Sequence, residues 1–315
     1  MNLQQLRYVA EIVRHGNRLS AAAAALNTSQ PGVSRQIQAL ERELKFDIFL
    51  RTRNRIVGLS EPGKVVLEIA QRVATDVAAL RSLKEEIEAG DRGVFTIATT
   101  HTQARYVLPE VVRQFVARYP EVKLVLKQGD PEEICALVES GDADLAIGTE
   151  TVRDFPNLVK LPCFDLQRCI VAPLGHPILD VAVLTLAEIA RYPIITYDTR
   201  YSGRWKVMKT FAEAGLDPKI VMSGIDADVC KTFVGVGLGI GILADMTYDA
   251  EHDTQIGARD ASHLLPSSTI KIALRPSTYL RVFLLDFIQS VAPHLTPAVV
   301  RSTMRTFRAA TGRES

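Results

Sequence analysis

At 315 residues the chain is longer than one ordinary domain core, so its length predicts two or more domains. With 47% hydrophobic and 23% charged residues, its composition excludes an intrinsically disordered chain. The net charge is only +1, but residues 1–60 hold nine basic against four acidic residues. The basic surface typical of a nucleic-acid-binding segment is therefore expected at the N-terminus.

No targeting or membrane segment is visible in the sequence. The start MNLQQLRYVAEIVRHG lacks a basic leader followed by an apolar run, and no apolar stretch is long enough to cross a bilayer. We therefore expect a cytoplasmic protein that does not contact membranes. The cysteines show no C-x-x-C spacing, which predicts buried apolar side chains and no metal site; they are Cys135, Cys163, Cys169 and Cys230.

The first 44 residues predict three helices. Apolar positions at helical spacing indicate one helix over residues 2–14 and a second after Asn17, which we expect to cap it. Ser29 is a good cap for a third helix over residues 30–44. Any small helical unit could fold this way, but the small residues Ala21–Ala25 would let the second and third helices approach closely. That feature favours a helix-turn-helix.

The outward face of the third helix carries side chains that match the edges of DNA bases. Arginine pairs with guanine, glutamine with adenine and serine with either, whereas a merely solvated face more often mixes Glu and Lys. We expect Gln30, Ser34, Arg35 and Gln38 to contact base edges. The complete predicted DNA-binding set is Thr28, Ser29, Gln30, Pro31, Ser34, Arg35, Gln38, Arg53 and Arg55.

Two further features follow the third helix. Residues 48–51 and 56–59 predict a hairpin whose tip carries Arg53 and Arg55, either a wing for phosphates and the minor groove or a charged edge that blocks aggregation. Residues 61–90 predict one long helix, which Ser60 can cap. Its narrow apolar seam is typical of a coiled coil with a second copy; the seam is Val66, Ile69, Val73, Val77, Leu80, Leu83 and Ile87.

The remainder of the chain alternates short apolar strands with amphipathic helices, which predicts a doubly wound α/β fold. The predicted strands are 94–99, 122–127, 144–148, 169–172, 194–197 and 239–243, and helices are predicted over 109–119 and 131–140. Ligands of such folds bind beyond the carboxyl ends of the strands.

Hydroxyl-rich segments follow three of these strands. We expect them to converge and bind a compact anion through neutral donors and free backbone N–H groups, without a basic side chain. The predicted residues are Thr100, His101, Thr102, Gln103, Thr149 and Ser202. The alternative is that these side chains only cap helices and turns. No catalytic motif such as G-x-S-x-G or H-E-x-x-H is present, so a small-anion-binding or enzymatic α/β protein is the weaker hypothesis.

The stretch SAAAAALNTSQPGVSRQIQALERELKFDIFLRTRNRIVGLSEPG resembles the winged helix-turn-helix of LysR-type transcriptional regulators. Within that family, TTHTQARYVLP, GDADLAIGTE and SGIDADVCKTFVGVGLGIGIL look like the cysteine-regulon activator (CysB/Cbl-like) branch. The resemblance implies a winged helix-turn-helix domain over residues 1–60, all-α with a small wing. It also implies a linker and dimerisation helix over 61–90 and an effector-binding domain over 91–315.

The resemblance further implies that the effector domain has two Rossmann-like subdomains, as in type 2 periplasmic binding proteins. Subdomain I would span 91–162 plus 268–295 and subdomain II 163–267, with crossings near 161–163 and 265–269. A tetramer, built as a dimer of dimers, would bind double-stranded promoter DNA and recruit RNA polymerase to sulfur-assimilation genes.

The implied effector is N-acetylserine, O-acetylserine, sulfate or thiosulfate, and no cofactor or metal is expected. The family's anion contacts map onto Thr100, Thr102, Gln103 and Thr149. Ser202 stands where the family usually has threonine, and Leu166 where a tryptophan is expected. A Cbl-like regulator of sulfonate or sulfate-starvation genes is the alternative role within the same branch.

Overall fold

The computed structural model describes residues 1–52, 55–89 and 92–311. The chain divides into two compact units, Met1–Glu88 and Ala89–Ser315. Each has its own hydrophobic core, which confirms the multidomain prediction. No helix among the described residues is both long and apolar enough to span a bilayer.

The N-terminal unit consists of three short helices, a hairpin and one long helix. Its elements are α1 (Leu3–Arg14), α2 (Leu19–Ala25), α3 (Gln30–Leu44), β1 (Phe49–Thr52), β2 (Arg55–Leu59) and α4 (Glu61–Ala89). The apolar stripes predicted from helical spacing meet in one core, where Val9, Ile12, Val33 and Leu40 are fully buried. Ala22 and Ala23 of α2 are also buried, so the small residues do lie where α2 faces the core.

The helix starts follow the predicted capping chemistry with one exception. Ser29 Oγ accepts the Gly32 N–H at 3.2 Å, and Ser60 Oγ accepts the Gly63 N–H at 3.0 Å. Asn17 does not cap α2, so that prediction is wrong. It lies in the preceding turn with φ 63°, a left-handed conformation that asparagine tolerates better than most residues. The N-cap of α2 is Arg18, which makes no side-chain capping hydrogen bond.

Gly63 permits close packing between the start of α4 and the hairpin. A Cβ at this position would lie 2.0 Å from the carbonyl oxygen of Ile48. Any larger residue would therefore push the long helix away from the hairpin.

The second unit contains two five-stranded sheets, each with helices against it. The first sheet has the order β4-β3-β5-β12-β6, with strands β3 (Gly93–Thr99), β4 (Val122–Gln128), β5 (Leu145–Gly148), β6 (Val159–Leu166) and β12 (Ser268–Leu274). Its helices are α5 (His101–Tyr106), α6 (Leu108–Arg118), α7 (Pro131–Ser140), α11 (Val282–Val291) and α12 (Pro297–Ala310). We call this part subdomain I.

The second sheet has the order β11-β7-β10-β8-β9 and defines subdomain II. Its strands are β7 (Arg168–Pro173), β8 (Ile194–Tyr197), β9 (Ile220–Gly224), β10 (Ile240–Ala244) and β11 (Ile256–Asp260). Its α-helices are α8 (Leu186–Ala190), α9 (Ser202–Glu213) and α10 (Ala227–Gly235). Strands β3, β4 and β5 pair in parallel in subdomain I, as β8, β9 and β10 do here, so the prediction of two Rossmann-like halves is confirmed.

The first crossing between subdomains differs from the expected position. Strand β6 continues to Leu166 because it pairs with β12 over its whole length, from Val159↔Leu274 to Leu166↔Ser268. The chain therefore changes sheet at Gln167, later than the expected range 161–163. The return before Ser268 lies within the expected range 265–269.

The connections place a topological switch point at one strand end in each subdomain. From β3 the chain moves to β4 on one side and then to β5 on the other, and from β8 it moves to β9 and then to β10. Because ligands of open α/β sheets bind at such points, the ends of β3 and β8 are where a pocket is expected.

Candidate nucleic-acid interface and anion pocket

The outward face of α3 is exposed over its first turns. Val33, Ile37 and Leu40 of the same helix are buried, so the helix is fixed with this face outward. Ser34 is half-buried, and the other predicted side chains on this surface are exposed; they are Thr28, Ser29, Gln30, Pro31, Arg35 and Gln38. Gln30, Arg35 and Gln38 offer the guanidinium and amide groups that read guanine and adenine.

The hairpin beside α3 is confirmed, with β1 and β2 paired in antiparallel orientation. Thr52 pairs with Arg55, so Arg55 lies on the strand and not in the loop, and its side chain is exposed. Arg53 lies outside the described residues.

Glu41 anchors this hairpin to α3, a role that the sequence reasoning missed. Its Oε1 accepts the N–H groups of Ile48 at 2.9 Å and Phe49 at 3.2 Å, and its carboxylate also pairs with the Arg51 guanidinium. The Glu41 side chain is only 7% exposed. The available signal was an acidic residue directly after Leu40 of the apolar stripe of α3.

The start of the α4 seam packs into the N-terminal unit. Val66 is buried, and Val73 packs against the same core. Two other side chains of the seam, Ile69 and Leu80, are exposed by 39% and 69%. The side chains of Leu83 and Ile87 lie outside the described part of the structure. The proposed seam with a second copy thus stays a prediction, supported by the exposed side chains.

A cavity of about 20 Å³ lies between the two subdomains, at their switch points. It brings together four of the predicted effector residues: Thr100, Thr102, Gln103 and Thr149. The remaining lining residues are Leu166, Arg168, Tyr197, Tyr201, Gly203 and Ala244. The first turns of α5 and α9 both begin here without a side-chain cap, so their N–H groups add to the donors around the cavity.

Two predicted effector residues lie behind or beside the cavity. Ser202 is fully buried and donates to Ser268 Oγ at 2.9 Å. His101 is directed to the neighbouring subdomain, where its Nε2 lies 3.0 Å from Asp226 Oδ2. Neither lines the cavity, because their positions at the starts of α9 and α5 point the side chains away from it.

Arg168 is the pocket residue that the sequence reasoning missed, and it corrects the expectation of a site without a basic side chain. It is 2% exposed at the start of β7, and its Nη2 donates to Ser268 Oγ. Its Nε has no hydrogen-bond partner among the described residues. Gly203 makes room for it, since a Cβ there would lie 2.9 Å from Arg168 Nη2.

Burial governs the electrostatics of the cavity. Desolvation lowers the pKa of Arg168, and the same effect raises the pKa of Tyr201 to about 12 and that of Tyr197 further. Both phenols are therefore neutral at physiological pH. Within the described ranges, no carboxylate lies within ion-pair distance of Arg168, although the more distant Glu150 and Asp245 act on its charge. Arg168 is the one charged side chain among the lining residues of the described structure.

One group of potential metal ligands exists beside the cavity, formed by His101, Asp226 and Asp228. Burial acts to raise the pKa of Asp228, but hydrogen bonds from the Tyr106 hydroxyl and the charge of Lys231 outweigh it and lower the pKa. Arg105 and Lys231 already pair with this carboxylate. The negative charge that would attract a cation to this group is thus compensated by protein groups.

The four cysteines are free and buried, as predicted. Burial raises the pKa of each thiol, to about 11 for Cys135 and Cys230 and to about 12 for Cys163 and Cys169. They are therefore unreactive packing residues at neutral pH.

Comparison with known families accounts for both units. Residues 3–64 match the bacterial regulatory helix-turn-helix protein, lysR family, and residues 88–296 match the LysR substrate binding domain. The chain belongs to the LysR family. The resemblance seen in the sequence is thereby confirmed, and the LysR-family chain is a transcriptional regulator and not an enzyme.

Individual relatives identify the branch. The LysR-family chain is 45% identical to the HTH-type transcriptional regulator SsuR of Burkholderia cenocepacia, covering 97% of this chain and 99% of that one. It is 42% identical to CysB of the same species, with 97% of both chains covered, and 40% identical to cbl of Escherichia coli, with 92% of both covered. The CysB/Cbl-like branch prediction is confirmed.

Solved structures agree with this fold. The cofactor-binding domain of the Cbl transcriptional regulator superposes with a TM-score of 0.65 at 37% identity, covering 69% of this chain and 95% of that domain. Full-length CbnR complexed with its target DNA shares the fold, with a TM-score of 0.58 at 20% identity and coverage of 92% and 99%.

Proposed function

We propose that this LysR-family regulator controls sulfur-assimilation genes, including those of cysteine biosynthesis, in response to a small anion bound between the subdomains. The effector is sulfate or thiosulfate, or the carboxylate of N-acetylserine or O-acetylserine. One observation carries the proposal: the buried Arg168 shares its cavity with Thr100, Thr102 and Thr149 and has no carboxylate partner in the described structure.

The charge of Arg168 gives the cavity its selectivity. An uncompensated buried cation costs several kcal/mol, and an anion that pairs with it recovers much of that cost. Thr149 Oγ1 is buried and has no hydrogen-bond partner among the described residues, so it is available to the same ligand. Hydroxyl groups, helix N–H groups and one guanidinium together suit an oxyanion.

Effector binding would act on the relative arrangement of the subdomains. Contacts that already join them include those of Arg200 with Asp130 at 2.8 Å, of Lys206 with Glu150 at 2.7 Å and of Tyr106 with Asp228 at 2.6 Å. A ligand that contacts Thr100 on one side and Arg168 on the other favours the closed arrangement. Only this difference in affinity can shift the regulator between states.

The size of the cavity separates the candidate effectors. A volume of about 20 Å³ holds about one water-sized group, so even sulfate requires the subdomains to separate slightly, and N-acetylserine requires them to separate further. The leucine at position 166 is a lining residue, where it leaves more room than the tryptophan expected in the branch.

The alternative within the branch is a Cbl-like role in sulfonate use or sulfate starvation. It is supported by the 37% identity to the Cbl cofactor-binding domain over that domain's length. Its effector, adenosine phosphosulfate, would have to place its sulfate or phosphate at Arg168 and extend out of the cavity.

The exposed face of α3 and the exposed apolar side chains of α4 support the proposed partners of this regulator. Double-stranded promoter DNA would bind the exposed face of α3, with Arg55 and Arg53 on the backbone or the minor groove. A second copy would pair along α4, and two such dimers would form a tetramer that recruits RNA polymerase. We place this activity in the cytoplasm, where DNA and these metabolites meet.

Calorimetry on the full chain tests the effector site. Sulfate, thiosulfate, N-acetylserine, O-acetylserine and adenosine phosphosulfate are titrated into the native chain and into the Thr100→Val and Thr102→Val variants. We expect the productive effector to lose affinity by about tenfold or more in both variants, because each loses a hydrogen bond to a charged ligand.

The matched control is Thr303→Val, because Thr303 lies in α12 and its hydroxyl only donates to the Val299 carbonyl. It should bind as the native chain does, and all variants should retain DNA binding. Unchanged affinity in Thr100→Val and Thr102→Val would remove the cavity from the proposal.

A further inference from the structure

Subdomain I contains a second cavity, of about 150 Å³, which the proposed effector site does not use. It lies over one face of the first sheet, where Ala146 and Gly148 of β5 pair with Ala273 and Lys271 of β12. Ala146 and Ala273 present only methyl groups to this face, whereas Ile134 of α7 fills the space over Gly148, where a Cβ would lie 2.6 Å from Ile134 Cδ1. The cavity is thus bounded by the small side chains of Ala146 and Ala273 and by Ile134.

The other walls come from α7 and from the segment after β5. Ile134 and Cys135 of α7 form an apolar wall, and the residues that follow β5 close the opposite side; these are Thr149, Glu150, Thr151, Val152 and Asp154. A cavity of this volume can hold benzene in an apolar protein interior, so it suits a ligand of roughly six to eight non-hydrogen atoms.

Two lysines and two carboxylates line this cavity. Lys160 of β6 pairs with Asp154 at 2.7 Å, and Glu150 pairs with Lys206 of α9 at 2.7 Å, so these charges are compensated. Lys271 lines it as well, and across the part of the chain that the structure describes it makes no ion pair. An apolar wall facing an unpaired ammonium group fits a small organic anion with an apolar end.

The second cavity shares a wall with the effector pocket. Thr149 lines both. The next residue, Glu150, accepts hydrogen bonds from Lys206 Nζ at 2.7 Å and from the Thr269 N–H at 3.0 Å. Burial alone would raise the pKa of Glu150, but these two hydrogen bonds outweigh it and lower the pKa. Glu150 is therefore an ionised link between the second cavity and α9 of subdomain II.

We propose that this cavity is a second binding site, for a small organic anion whose charge pairs with Lys271 and whose apolar end packs on Ile134 and Ala273. Its occupancy acts on the effector pocket through Thr149 and Glu150. The regulator thus combines two metabolite signals within one effector domain.

The test uses the full chain and the branched carboxylate isovalerate, with its neutral amide isovaleramide as the matched ligand. Ligand-observed NMR titration should show saturable isovalerate binding and about tenfold weaker isovaleramide binding, because the amide cannot pair with Lys271. Ala273→Leu places a larger side chain in the cavity and should abolish binding. Lys271→Met should weaken isovalerate binding about tenfold and leave isovaleramide unchanged.

Thr303→Val in α12, at a residue that lines neither cavity, should bind isovalerate as the native chain does. Saturating isovalerate should also change the sulfate affinity of the native chain several-fold, but not that of Ala273→Leu. Melting curves followed by circular dichroism check folding, and Lys271→Met keeps the test decisive if Ala273→Leu is unfolded.

Absence of saturable isovalerate binding would overturn the site, and so would binding that Lys271→Met does not weaken. Binding that leaves sulfate affinity unchanged would overturn the coupling. The isovalerate titrations need no effector, so failure of the proposed effector site would leave them interpretable.

Discussion

At the scale of single residues, the pocket combines predictable and unpredictable members. Thr100, Thr102 and Thr149 follow apolar strands whose ends must meet at the switch points, so their convergence was predictable from the sequence. Arg168 was not, because one arginine at the start of an apolar strand gives no sign of which strands flank it. Only the pairing of β7 and the close approach at Gly203 place its guanidinium in the cavity.

Arg168→Met should separate ligand binding from folding. Without the guanidinium, sulfate affinity should fall by about 10- to 100-fold, the equivalent of a hydrogen bond to a charged group. The melting temperature should stay the same or rise, because an uncompensated buried charge is removed. Calorimetry and a thermal melt measure the two effects.

Arg191→Met is the matched control, since Arg191 is 71% exposed and pairs only locally with Glu188 at 3.0 Å. Its sulfate affinity should equal that of the native chain. If Arg168→Met also bound sulfate normally, the anion would not contact this guanidinium.

At the scale of secondary structure, the prediction was most accurate where local signals were strong. The predicted bounds of α7 and β8 agree with the structure. A capping residue followed by proline marks the start of α7, and a short run rich in β-branched residues marks β8. Strand β12 was missed as a partner of β5 and β6, since antiparallel pairing across more than a hundred residues leaves no local pattern. The position of the first crossing depends on that pairing, which is why it lay later than expected.

Glu41→Ala should weaken the attachment of the hairpin to α3. It would leave the buried N–H groups of Ile48 and Phe49 without their acceptor, and the free energy of unfolding of the N-terminal unit should fall by about 3 kcal/mol. Urea unfolding followed by circular dichroism measures the change.

Glu43→Ala serves as the control two residues along the same helix. Glu43 is 54% exposed and pairs with the N-terminal amine, so its loss should change the free energy of unfolding by less than about 0.5 kcal/mol. Equal effects of the two substitutions would show that the Glu41 contacts do not stabilise the hairpin.

At the scale of the whole molecule, the regulator joins a DNA-reading unit to a ligand-binding unit. The division of charge between them was visible in the sequence, and so was the exposed face of α3. The relative contributions of base and backbone contacts follow from side-chain chemistry. We expect Arg35 to pair with one base and Arg55 on the hairpin to add positive charge near phosphates.

Arg35→Ala and Arg55→Ala should therefore weaken promoter binding in different ways. Arg35→Ala should cost about 1 to 3 kcal/mol at one base position and relax the preference there. Arg55→Ala should weaken all sequences alike and reduce the salt dependence by about one unit. Gel shifts over a series of salt concentrations and base substitutions distinguish these effects. A uniform loss in Arg35→Ala would contradict base reading by this face of α3.

We propose that ligand binding in the effector pocket and DNA binding by α3 are energetically linked in one molecule. Linkage requires the coupling to be reciprocal, with a typical factor of about 5 to 150. The direct measurement is therefore a pair of titrations on the full chain: DNA affinity with and without saturating effector, and effector affinity with and without saturating promoter DNA. We predict the same factor in both directions and no coupling in Thr102→Val. A DNA affinity that saturating effector leaves unchanged would contradict the linkage between the effector pocket and α3.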